Sequence, residues 1–169
     1  MGRLERNPAV RFRTGLLLGV GIGALVDGIL FHQVLRWHHF ISDEQRTNTV
    51  AGLDANTLAD GLFHVAALLA LVGGLVLLHR SARTGGVPPG RAFAGSVVVG
   101  VAAFNIFDAL AAHWVLGLHH IHQGSYELLS DVVYLAVSVG VLLGGLAMGT
   151  SHSRGGQRDL GQATRSGAV

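Results

Sequence analysis

Four long apolar segments, at about 14–35, 57–78, 92–118 and 128–149, alternate with short polar ones along the chain. Each is long enough to cross a hydrocarbon core that needs about 20 helical residues. Inside lipid every backbone N–H and C=O must find a partner within the segment, so spans of this length are helices. A membrane strand would show about ten residues of strict alternation, and no such run is present. The pattern predicts an all-α integral membrane protein, a four-helix bundle with helices at about 14–38, 57–79, 92–119 and 127–149. Residues 1–13 form an N-terminal segment ahead of a 14–150 spanning domain, and the polar, Gly-rich stretch 151–169 reads as a disordered tail.

Composition sharpens the class. Only 13% of the residues are charged and half are apolar, against about a quarter charged in soluble domains. With no Cys, disulfide frameworks, thiolate redox centres and Cys-based zinc sites are excluded. The 12 basic residues are all Arg, and their placement follows membrane topology rather than a nucleic-acid surface. Arg3, Arg6, Arg11 and Arg13 precede the first span, Arg80, Arg83 and Arg91 lie between the second and third, and Arg154, Arg158 and Arg165 follow the fourth; only Arg36 and Arg46 lie on the other side. The positive-inside rule then puts both termini and the Gly/Pro connector at 84–90 in the cytoplasm. The first apolar stretch is too long for a cleavable signal and contains Asp27.

The polar residues inside the spans repeat. Asp27, His32, His38 and His39 recur 81 positions later as Asp108, His113, His119 and His120, so both copies read D-x4-H-x5-H-H. Asp60 and Gly73–Gly74 recur 71 positions later as Asp131 and Gly144–Gly145. A pseudo-duplicated two-helix unit is expected, with its axis along the membrane normal. Gly15, Gly19, Gly23 and Asp27 share one helix face, as do Ala92, Ser96, Gly100, Phe104, Asp108 and Ala112. Small-residue stripes of this kind are helix–helix contact faces, so both deep aspartates should face protein rather than lipid.

Eight of the ten His fall in or beyond the outer half of the spans. At about 1.5 Å rise per residue, His32, His64 and His113 lie roughly 8–11 Å below the outer surface, Asp60 and Asp131 at about 5 Å, and Asp27 and Asp108 at about 15–17 Å. An Asp at the centre of a span costs roughly 2.5–3.5 kcal/mol on insertion scales, so Asp27 and Asp108 together would cost roughly 5–7 kcal/mol. No Lys or Arg lies at hydrocarbon depth to neutralise them. On an α-helix, Asp27 and His32 stand about 140° apart and cannot both address one central atom.

Imidazole with carboxylate suits a transition-metal ion such as Cu, Zn or Fe. The expected metal site comprises His32, His64 and His113, with Asp60 and Asp131 nearby and Asp27 and Asp108 as deeper ligands or orienters. His38, His39, His119, His120 and His122 form an outer rim. Haem b held by axial His, with His32 and His113 as the pair, is the alternative cofactor. A structural or assembly subunit whose Asp–His bonds staple helices without metal is the alternative of a different class. An ion path is disfavoured, because the inner halves of the spans carry almost no polar side chains beyond Ser96 and Ser138. No nucleophile elbow, phosphate loop or metalloprotease motif is present, so no catalytic residue is assigned. Trp37 and Trp114 read as interfacial belt residues.

The segments from Asp27 to His39 (DGILFHQVLRWHH) and from Asp60 to His64 (DGLFH) resemble a family of small bacterial predicted membrane proteins, over roughly residues 12–150. The resemblance implies the same four-span architecture in the bacterial plasma membrane. It also implies the company of respiratory-oxidase assembly and copper-handling genes, which makes copper a candidate metal. Expected partners are the lipid bilayer and either a second copy or a respiratory-complex partner, with no nucleic acid.

Overall fold

Helix α1 runs from Pro8 to Asp27 and passes without a break into a π-helical segment, Gly28–Val34. Helix α2 spans Val50–Arg83, α3 spans Gly90–Asp108 and continues as a second π-helical segment, Ala109–Val115, and α4 spans Glu127–Ser166. A computed structural model describes residues 8–83 and 90–166, with side-chain surroundings for 9–83 and 90–149. The described regular structure is all helical, and four helices are long and apolar enough to cross a membrane. Most of the 84–90 connector and of the N-terminal segment 1–13 fall outside the described residues. The backbone of α4 is helical to Ser166 where a disordered tail is expected from 151; the side chains there lie outside the described residues.

The helices form a row in the order α2, α1, α3, α4. Helix α2 packs on α1, α1 on α3, and α3 on α4. Half of the α1 span and 39% of the α3 span are buried, against 11% for each of the outer two, so the outer pair presents most of the apolar surface. The seam between α1 and α3 brings together the two small-residue stripes, each expected to be a contact face. A Cβ placed on Gly19 would lie 2.7 Å from Gly100 Cα, and one on Gly100 would lie 2.8 Å from Gly19 Cα. Two backbones that close leave room for nothing larger than hydrogen, which is how helices associate where lipid removes the hydrophobic drive. Gly74 admits Leu18 to the α1–α2 contact, and Gly145 admits Val99 to the α3–α4 contact.

Both inner helices end earlier than expected, at Val34 and Val115 rather than at His38 and His119. The termination is the same in each. Leu35 N–H donates to Leu30 O (2.8 Å) and Trp37 N–H to Phe31 O (3.0 Å); 81 positions on, Leu116 N–H donates to Ala111 O (2.8 Å) and Leu118 N–H to Ala112 O (2.9 Å). The next residue of each turn is left-handed, Arg36 at φ 53° and Gly117 at φ 60°. This turn sends the Trp37-His38-His39 and Leu118-His119-His120 segments back over the helix ends instead of onward along them.

The two left-handed positions make a paired prediction. A side chain in this conformation costs about 1–2 kcal/mol, a cost absent from Gly. Arg36→Gly is expected to raise, and Gly117→Ala to lower, the unfolding free energy in detergent, each by about 1 kcal/mol. Circular dichroism melts of the two variants check the opposite signs.

The longer connection, 35–49, is tied to α2 by Asn56, which is fully buried. Its Nδ2 donates to Gln45 O (2.7 Å) and Gly52 O (3.0 Å), and its Oδ1 accepts from Ile41 N–H (3.2 Å). Gln123 crosses between the two connections, donating to Ser42 Oγ (2.9 Å) and Asp43 Oδ1 (2.7 Å). The two connections therefore form one cap over the ends of α1 and α3.

Candidate metal centre

The site is assembled by the π-helical segments. In α-helical geometry residues five apart diverge, but hydrogen bonds closing i→i+5 bring them back nearly one turn apart. Asp27 and His32 thus share a face after all, with His32 Nε2 3.5 Å from Asp27 Oδ2. At the matching positions 81 residues on, His113 Nε2 is 3.2 Å from Asp108 Oδ2. The expected divergence of Asp27 and His32 is corrected by this change of helix type.

The other nitrogen of each of these imidazoles is held by the outer helix. Asp60 accepts from His32 Nδ1 (2.9 Å), His39 Nδ1 (2.6 Å) and Phe40 N–H (2.9 Å), and Gln33 Nε2 adds a fourth donor at 3.1 Å. Asp131 accepts from His113 Nδ1 (2.9 Å), His120 Nδ1 (2.6 Å) and Ile121 N–H (3.0 Å). Both carboxylates are buried, at 1% and 0% exposure, and three or four donors each make them acceptable there. Asp60 and Asp131 consequently act as orienters, with their oxygens committed to imidazole and backbone.

His38 and His119 are oriented by the opposite connection. His38 Nδ1 donates to Ile121 O (2.9 Å) and His119 Nδ1 donates to Phe40 O (3.0 Å), a reciprocal exchange between the two loops. A carbonyl oxygen only accepts, so Nδ1 carries the proton in each ring and Nε2 presents a lone pair. Burial first, and then the neighbouring His119 and His32, push the His38 imidazole down to about 2, which keeps it neutral. The two rings are stacked, 4.5 Å between centroids and 2° from parallel.

Four buried imidazoles therefore converge, His32, His38, His113 and His119, at 1%, 1%, 2% and 0% exposure. Each has Nδ1 occupied, and each has an Nε2 with no hydrogen-bond partner. Asp108 Oδ2, also buried and without a hydrogen-bond partner, faces His113 Nε2 at 3.2 Å and His119 Nε2 at 3.7 Å. Ligand atoms of His32, His38 and His119 lie within 4.8 Å of one another, and so do those of Asp108, His113 and His119. Imidazole nitrogens aimed together, each ring fixed through its far nitrogen by a carboxylate or carbonyl, are the arrangement by which proteins present His to metals.

Residues 14–152, which contain most of the first span, all of the other three and every residue of this cluster, match the family model DUF2243, described as a predicted membrane protein. The chain belongs to that family. No curated protein and no solved structure matches it.

In this DUF2243 chain the remaining predicted residues lie around the cluster. His64 has a buried Nε2 without a hydrogen-bond partner, set against the first π-helical segment at Gly28; neither three-donor group includes it. His38 and His119, placed on the outer rim by linear depth, are in the core of the cluster. His39 and His120 are half-exposed partners of Asp60 and Asp131. His122 is exposed and edge-on to Trp37, with centroids 5.5 Å apart. Phe63 stacks on His32 (5.6 Å) and Tyr134 on His113 (6.0 Å), and Tyr134 Oη donates to Asp27 Oδ1 at 3.4 Å. These aromatic walls sit 71 positions apart in sequence, a signal present in the repeat register but hidden because Phe and Tyr in a span read as ordinary apolar residues. Ser96 and Ser138 bond to carbonyls within their own helices, Phe93 O and Tyr134 O.

Proposed function

We propose that this membrane protein holds a transition-metal ion at the imidazole cluster of His32, His38, His113 and His119, with Asp108 and Asp27 as the adjacent carboxylates. The observation that carries the reading is the meeting of Asp108 Oδ2 with His113 Nε2 and His119 Nε2. His119 has its proton on Nδ1, as the bond to Phe40 O requires, so lone pair faces carboxylate there. In a buried site such a confrontation calls for a cation. The all-N,O donor set suits Cu(II), Zn(II) or Fe(II).

Bare ions fit better than haem. The rings of His38 and His119 stand within 6.3 Å of His113 and within 5.8 Å of His32. They crowd the space that a porphyrin between an axial His32–His113 pair would need. With Arg setting the topology, the cluster lies beneath its loop cap at the outer face of the bacterial plasma membrane and both termini are cytoplasmic. The function that fits is metal handling at that face, with copper handling and respiratory-oxidase assembly the version implied by the family resemblance.

The test is elemental analysis of detergent-purified protein after incubation with Cu, Zn or Fe salts and desalting, paired with thermal melts. A ligand that binds only the folded state stabilises it by about 2.7 kcal/mol at 100 times its Kd, so chelation is expected to lower Tm by several degrees. Protein that retains none of the three metals and melts identically with and without chelator would leave the cluster as a polar staple between helices.

A further inference from the structure

Resting on the metal reading above, we infer that the cluster holds two divalent ions side by side, one in each half of the repeat. The donors fall into two sets, not one. His32, His38 and His119 form the first, and Asp108, His113 and His119 form the second, with His119 the only shared member. Five distinct buried side chains thus offer ligand atoms, and Asp27, 3.5 Å from His32 Nε2, makes a sixth. Neither group of mutually close donors holds all five, and a four-coordinate ion would strand at least one of the buried donors that already have no hydrogen-bond partner.

The two halves present the same equipment. Each supplies an Asp and two His in the spacing D-x4-H-x5-H, two His to one carboxylate, a set that binds a first-row ion with coordination positions left open. His38 is nearer to His32 (4.6 Å between centroids) than to His113 (6.3 Å), and His119 is nearer to His113 (4.8 Å) than to His32 (5.8 Å). The natural division is Asp27, His32 and His38 around one ion, and Asp108, His113 and His119 around the other. The 4.5 Å stack of His38 on His119 is on the scale of the ~3.5–4 Å spacing of two-metal sites.

Charge supports the same count. Asp27, Asp60, Asp108 and Asp131 are all buried, at 2%, 1%, 5% and 0% exposure. Two divalent ions offset these four carboxylates in full.

The experiment is the molar ratio of Cu(II) to protein at saturation in the detergent-purified wild-type chain, with the electron paramagnetic resonance signal recorded on the same sample. The expected ratio is two, with the Cu(II) signal weakened by coupling between neighbouring ions. In Asp108→Ala/His113→Ala and in Asp27→Ala/His32→Ala, each checked for folding by circular dichroism, the expected ratio is one with an uncoupled signal of full intensity. A wild-type ratio of one would overturn the pair while leaving the metal reading intact, and it would do so whether or not the variants fold. A wild-type ratio of zero would overturn both.

Discussion

Asp131→Ala is expected to lower the unfolding free energy by about 3–5 kcal/mol, the range seen when one partner of a buried charged network is removed. The carboxylate is fully buried and receives His113 Nδ1, His120 Nδ1 and Ile121 N–H. Truncation strands the buried pair among them, His113 Nδ1 and Ile121 N–H, and each stranded donor costs about 1–3 kcal/mol. It also frees the His113 ring to rotate, so Nε2 is no longer held toward Asp108. Metal affinity is expected to fall by about 10–100-fold, as it does when a ligand loses its hydrogen-bonding partner. Asp60→Ala should behave alike, since Asp60 receives His32, His39 and Phe40 in the same way. Thermal melts of metal-free protein isolate the stability loss, and titration with Cu(II) isolates the affinity loss. A melt unchanged from wild type would mean that these hydrogen bonds do not carry the fold.

His38→Ala/His119→Ala is the second large effect. Both rings are buried and present Nε2 lone pairs, so their removal takes away donors rather than supports. The loss of metal affinity should exceed the roughly 100-fold that marks the upper range for a supporting residue. His122→Ala, altering an exposed ring beside Trp37, should leave affinity within about twofold, an energy of about 0.4 kcal/mol. The contrast separates the tertiary arrangement from a reading by depth alone, in which all three side chains belong to one rim. Equal affinity losses in the two variants would place the metal at the surface.

The repeat register carried much of the site. Matching Asp27 with Asp108, His32 with His113 and Asp60 with Asp131 identified six residues that the structure brings to one end of the row, because a residue's position along a helix fixes its depth. The glycine and serine stripes were equally legible. Gly15 lies against Ser96 and Gly19 against Gly100, since backbone approach in lipid selects small side chains on one face and nothing else explains their spacing.

What the chain determined by itself is the class, the four spans, the small-residue contact faces of α1 and α3, and the depth at which imidazole and carboxylate gather. These follow from properties that are local and periodic: apolar length, the helical repeat and side-chain size. Three features were decided only by the tertiary structure. The π-helical segments rotate His32 onto Asp27 and His113 onto Asp108, and nothing in residue spacing announces a switch from i→i+4 to i→i+5 bonding. The left-handed turns at Arg36 and Gly117 fold His38 and His119 inward, a reversal that helical periodicity carries straight past. The crossed bonds from His38 to Ile121 O and from His119 to Phe40 O fix which nitrogen of each ring stays bare. That last decision joins residues more than 75 positions apart through backbone carbonyls, which carry no side-chain identity, so it exists only once the two loops have met.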